Sequence, residues 1–193
     1  MNHILAVVMA GIIVVSAAPA AENRQEEKNG EAEAVEKELA KLQGTWELTR
    51  RVGNRTVRSI KVINGNKTTL TRYTEDGEVF WAHTSEFRLT ITGKVRVFTF
   101  FNLAVTAGPH KGGRIEQPSS FIYRVDDDLL TEAHGLLVDQ SEEEPRLVTW
   151  KRVKDLRSLG SNFHVDDKGI IRDSQGRSIG VWGVNGDSAT ELR

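Results

Sequence analysis

The sequence predicts an all-β protein, an antiparallel up-and-down barrel of about 8–9 strands with a short N-terminal helix and a C-terminal hairpin extension. Three observations carry that prediction. Apolar residues recur with a period of two, most cleanly at Phe87, Leu89 and Ile91 within Glu86–Thr92. Turn dipeptides (Gly53-Asn54, Asn64-Gly65, Asp76-Gly77, Gly93-Lys94) and the run Asp126-Asp127-Asp128 punctuate the alternation at short intervals. Asn-Gly and Asp-Gly suit two-residue hairpins, whose central residues need positive φ. Finally, a Gly44-Thr45-Trp46 opening strand and a Trp150-Lys151-Arg152 closing strand carry an indole and cations able to meet.

Composition sets the outer limits. At 193 residues with 26 Lys+Arg against 27 Asp+Glu, the chain is one domain with terminal additions and no global field. No basic stripe appears, so no nucleic-acid partner is expected. The absence of Cys removes disulfides, thiolate nucleophiles and Cys-type zinc sites.

Residues 1–20 read as a signal peptide. Ile4 to Val15 is an apolar run too short to span a bilayer comfortably. Ala18-Pro19-Ala20 presents small residues where a signal peptidase cuts, which places cleavage after Ala20. The expected location is therefore periplasmic or extracellular, with no stable membrane span after cleavage. Residues 21–34 are charged, broken at Asn29-Gly30, and read as a disordered leader. The domain proper is expected over 35–154. It begins with a short helix that sets Val35, Leu39 and Leu42 on one face and stops at Gly44.

Strands are expected near 45–52, 56–63, 67–74, 78–84, 86–92, 95–103, 120–125, 129–134 and 146–153. No helix-length segment interrupts them, which argues against a parallel α/β sheet. The Gly/Pro-rich stretch from Thr106 to Pro118 is expected as a long loop, either a lid at the open rim or a solvated excursion. Residues 155–193 form a C-terminal extension, read as a hairpin turning at Asp173-Ser174-Gln175-Gly176.

Three segments together, Leu42-Gln43-Gly44-Thr45-Trp46, Phe121 through Leu130, and Trp150-Lys151-Arg152-Val153-Lys154, resemble a known family. It is the lipocalin-like domain family of unknown function expanded in planctomycete bacteria. The resemblance spans roughly 36–154 and implies a lipocalin-like barrel in which Gly44, Trp46 and either Lys151 or Arg152 close one end. Asp127 stands where that pattern has glycine, and the family lends no activity.

Candidate chemistry is sparse. His3, His83, His110, His134 and His164 lack metal-ligand spacing, although His83 and His134 fall on separate strands that could meet inside a barrel. The Asp126-Asp127-Asp128 run lacks the alternate spacing of a calcium loop and reads as a solvated turn. Ser119-Ser120 is not part of a nucleophile elbow. Neither catalytic residues, nor a metal, nor a cofactor are expected, and the chain reads as non-enzymatic.

The aromatic cluster is more informative. Phe80, Phe87, Leu89, Phe98 and Phe100 are expected to line the barrel, as a packed plug or as the wall of an apolar pocket. Arg72, Arg88 and Arg96 would mostly face outward, and one turned inward could meet an anionic head group. The leading expectation is an exported barrel binding a small apolar or amphipathic ligand. The alternative is a filled barrel acting as a protein-interaction module of the cell envelope, with Trp182 as an anchor.

Overall fold

The computed structural model describes residues 19–137, 144–155, 163–165, 170–173, 176 and 178–181. Residues 1–18, read above as most of a signal peptide, the acidic residues Glu142 and Glu143, and Trp182 lie outside the described residues.

A 24-residue helix, α1 (Pro19–Leu42), leads into the meander β1 (Gly44–Val52), β2 (Arg55–Asn64), β3 (Lys67–Tyr73), β4 (Val79–Thr92) and β5 (Val95–Ala107). A short β6 (Arg114–Ile115) follows, then β7 (Ser119–Asp126), β8 (Leu129–His134) and β9 (Arg146–Arg152). Strands β1–β5 and β7–β9 pair antiparallel in sequence order, and β9 returns to β1, closing an eight-stranded barrel to which β6 adds one strand. Closure leaves no free edge among these eight strands.

Several expectations change. The helix runs through Asn29-Gly30, so the leader expected over 21–34 is helical where the structure describes it. A glycine inside a helix costs only about 1 kcal/mol relative to Ala. Pro19 sits at the helix start, where its missing N–H loses nothing.

The segments 78–84 and 86–92 form the single strand β4, because the irregularity there belongs to its partner. Pairing runs Thr84↔Ala104 and then Glu86↔Phe101, so β5 carries an extra residue. Asn102 absorbs it with φ 52, a left-handed conformation that Asn tolerates. The bulge flips the alternation of β5, so Phe98 and Phe100 face inward before it and Leu103 after it.

The long loop also differs. β5 continues to Ala107, and Gly112 N–H donates to the Val105 carbonyl while Val105 N–H donates to Gly113, both at 2.9 Å. The stretch is thus a hairpin whose return strand, β6, pairs with Leu103 and Ala104. At the β7–β8 turn Asp127 has φ 48, a left-handed angle that Asp tolerates better than most side chains.

The core occupies the lower half of the barrel. Trp46, Ile63, Leu70, Phe87, Phe98, Phe121, Tyr123, Leu130 and Trp150 pack with Leu42 of α1, which plugs that end. The C-terminal extension forms a three-stranded sheet, β10 (Phe163–Val165), β11 (Ile170–Asp173) and β12 (Ser178–Val181), one strand more than the expected hairpin. β12 lies beside β2 and β3. There Ile60, Val62 and Tyr73 are buried on the outer face of the barrel. Among the described residues no helix is long and apolar enough to cross a membrane.

Candidate ligand site in the barrel interior

One end of the barrel is sealed by residues from both chain ends of the domain. The Arg152 guanidinium lies 4.0 Å from the Trp46 ring centroid and donates to the carbonyls of Gln43 (2.7 Å) and Lys41 (2.6 Å). It thereby caps the C-terminus of α1, whose last carbonyls lack helical partners. Trp46 Nε1 donates to the Leu42 carbonyl at 2.8 Å. Of the two closing cations considered, Arg152 takes the place over the indole. Gly44 reverses the chain between helix and strand at φ 110. The Gln43 side chain accepts from Gly65 N–H at 2.7 Å and donates to the carbonyls of Leu39 and Gly65, tying the plug to the β2–β3 turn.

The other end holds a cavity of about 250 Å³. Arg50 is four residues along β1 from Trp46, roughly 13 Å at the usual rise per residue. Arg50, Arg72 and Arg146 line the mouth. The apolar wall includes Leu48, Trp81, Phe100, Phe121, Val148 and Trp150.

The expected lining residues divide. Phe98 and Phe100 line the cavity. Phe87 stacks on Phe98 at 4.2 Å between ring centroids, and belongs to the packed core, with Leu89 against it. Phe80 is 38% exposed and does not face the interior. Adjacent strand residues point to opposite faces, so its neighbour Trp81 takes the inward place. Phe87 and Leu89 thus lie in the packed core, Phe100 lines the cavity, and Phe98 belongs to both.

Arg72 turns inward, with its guanidinium 4.6 Å from the Trp81 ring centroid. Arg88 packs 5.9 Å from the Phe101 ring, and Arg96 reaches Glu38 of α1 at 3.0 Å. Burial, and then the neighbouring charges of Arg50 and Arg146, lower the pKa of Arg72.

A polar group that the sequence did not mark sits deeper. Lys61 from β2 is ion-paired with Glu132 from β8, and both are buried. Glu132 also meets His134 Nε2 at 3.2 Å, while the Lys61 ammonium lies 4.3 Å from the Trp150 ring centroid. Burial alone would raise the Glu132 pKa, but Lys61 and His134 outweigh it and hold the carboxyl down to about 2. A buried pair of this kind survives because each charge satisfies the other. The available signal was parity, since Lys61 and Glu132 each occupy inward positions of otherwise ordinary strands.

His83 and His134 do both line this cavity. His83 stacks edge-on against Trp81 at 4.5 Å, and its Nδ1 is buried with no protein partner. Burial, then Lys61 and Arg72, push its pKa down to about 4, so the ring is neutral at pH 7. Among the described residues no three His, Asp or Glu converge as a metal site. Ser119 lines the cavity, while Ser120 points to Thr99 at 3.0 Å on the other face of β7.

Comparison of the chain with known protein families, curated proteins and solved structures finds no match.

Proposed function

We propose that this protein is an exported, non-enzymatic, lipocalin-like barrel that binds a small amphipathic ligand in its interior. The observation that carries the reading is the cavity of about 250 Å³, walled by Trp81, Phe100, Phe121 and Trp150 and rimmed by arginines. Binding sites for small molecules combine an apolar wall with a few placed polar groups, and the mouths of β-barrels are a common setting. Export rests on the apolar segment and small-residue cleavage site of the first twenty positions.

A binding role also fits the way the interior polar groups are used. Glu132 is engaged by Lys61 and His134, and Thr68 Oγ1 and Ser85 Oγ share a hydrogen bond of 2.8 Å. These groups hold one another in place, as a rigid lining requires.

Native mass spectrometry of the protein purified from its own host without detergent tests the proposal. A reproducible extra mass that organic solvent strips away is the expected result. A bare chain mass that stays bare after incubation with amphiphiles would overturn it. The reading would then pass to a filled barrel acting as an interaction module of the cell envelope.

A further inference from the structure

The charge balance of the cavity is lopsided in a chain whose charges otherwise nearly cancel. Among the described residues lining it, Lys61, Arg50, Arg72 and Arg146 face a single carboxylate, Glu132. Lys61 neutralises that carboxylate within the barrel. Arg50 and Arg72 have no carboxylate partner among the described residues and leave excess positive charge at the mouth, against a formal net charge of −1 for the whole chain. Low-dielectric walls concentrate such a field at the opening rather than spreading it over the surface.

The arginines come from separate strands: Arg50 from β1, Arg72 from β3 and Arg146 from β9. Three like charges directed to one opening repel each other, and that repulsion underlies part of the lowered Arg72 pKa. An anion placed among them relieves it. Guanidinium is suited to this role because its planar fork binds carboxylate and phosphate oxygens through two parallel hydrogen bonds. Trp81 braces Arg72 from one side, which fixes the fork before a ligand arrives.

Below the mouth the wall turns apolar, through Leu48, Phe100, Phe121 and Trp150. Two buried groups lining this region, His83 Nδ1 and the Trp150 indole N–H, have no protein partner. Buried polar atoms are seldom left in that state, and both are available to a polar atom of a ligand. The volume limits the body that can enter, since about 250 Å³ equals roughly eight waters at ~30 Å³ each.

Resting on the binding role given above, we infer that the ligand is an organic oxyanion. Its single anionic head group is held at the mouth by Arg72 and Arg50, with Arg146 beside them. A short apolar body lies against Phe100, Phe121 and Trp150. Carboxylate and monoalkyl phosphate share this chemistry, and the choice between them is a matter for titration.

The test is isothermal titration of the detergent-free protein, stripped of any bound small molecule, with four probes of one chain length: octanoate, octyl phosphate, 1-octanol and octylamine. At least one anion should bind saturably about tenfold or more tighter than 1-octanol, the scale of one charge-assisted hydrogen bond. Octylamine should be the weakest, and the tighter anion identifies the head group. Arg72→Gln should remove most of the advantage of that anion over 1-octanol. Arg50→Gln, at an exposed position that folding does not depend on, should remove part of it. Arg88→Gln deletes an equal charge outside the cavity and should alter nothing.

Equal affinity for 1-octanol and both anions would overturn the anion inference while leaving the binding barrel intact. An advantage reduced equally by Arg88→Gln and Arg72→Gln would overturn it as well, since the effect would be that of net charge. Binding by none of the probes would overturn the inference and the binding role together.

Discussion

Arg152, on the last barrel strand, lies 4.0 Å from the ring centroid of Trp46 on the first, and β1 meets β9 directly at the Trp46↔Arg152 pair. The contact joins the two ends of the sheet and, through two carbonyls of the preceding segment, the helix that plugs it. Trp46 is fully buried, so Trp46→Ala should cost roughly 3–5 kcal/mol in urea denaturation. Trp46→Phe keeps most of the burial but loses the bond to Leu42, and should cost about 1–2 kcal/mol. Arg152→Lys retains charge without the fork and should fall in the same smaller range. A cost below about 0.5 kcal/mol for Trp46→Ala would be the behaviour of a surface residue.

The buried pair predicts a non-additive double mutant. Glu132→Gln leaves the Lys61 ammonium buried without its counter-charge and should destabilise the barrel by about 3–5 kcal/mol. Combining Glu132→Leu with Lys61→Met removes both charges, and should cost less than Glu132→Gln alone. Chemical denaturation of these variants and of the single variants Glu132→Leu and Lys61→Met decides this, and simple additivity would mean that the pair is not coupled.

Acid should weaken the fold in two stages. His83 has a folded pKa of about 4 against an ordinary 6.5, so the unfolded chain takes up its proton first. Its contribution is complete above about pH 6.5 and is lost as the pH falls toward 4, on the order of 3 kcal/mol in all. Glu132, held down to about 2, contributes above its ordinary value of 4.5 and loses that contribution between 4.5 and 2. Stability measured between pH 7 and pH 4.5 should therefore decline in wild type, and decline less in His83→Phe. Identical slopes would place the upper stage on another group.

How far the sequence was legible follows from what each signal measures. Alternation and turn dipeptides report which residues face a core and where the chain reverses, and both are local. They located most strands and the Gly44-Thr45-Trp46 plug. The Asn102 bulge is invisible to them, because one extra residue reverses the alternation without any turn signal, and the aromatic lining was misassigned at Phe80. Lys61 and Glu132 escaped for a different reason. A charge on a strand normally marks the wet face, and only the three-dimensional neighbour shows that two such residues neutralise each other inside. For the same reason Arg72 could be named only as one of three arginines, mostly outward-facing, of which one could turn in. Its inward turn depends on the ring of Trp81, to which it is paired across β3 and β4.

Gly108 controls the wall of the cavity from outside it. It has φ +100, and a Cβ there would lie 2.6 Å from the Phe80 carbonyl oxygen and 3.3 Å from Trp81 atoms. Gly108→Ala combines an unfavourable backbone angle with a clash against backbone, and should cost about 1–3 kcal/mol. Since the displaced strand carries Trp81, ligand affinity should fall as well. Thermal denaturation and titration of the same variant separate the two effects. Gly112→Ala, with φ +89 but open space around its Cβ, should show the backbone cost alone.

Truncation after Asp155 tests what the C-terminal sheet does for the barrel. Ile60, Val62 and Tyr73 are almost completely buried, yet they lie on the outer face of β2 and β3, away from the interior. Sheet faces turned to water carry polar residues, so three buried apolar side chains there imply a cover. β12 lies beside both strands and is positioned to provide it. Removing 156–193 should expose that patch, raise binding of a hydrophobic dye, and lower Tm on the order of 10 °C. Affinity for interior ligands should persist, because every described residue lining the cavity lies on a barrel strand. An unchanged Tm with no added dye binding would mean that Val79 and Val153, which pack on the same cluster, are cover enough.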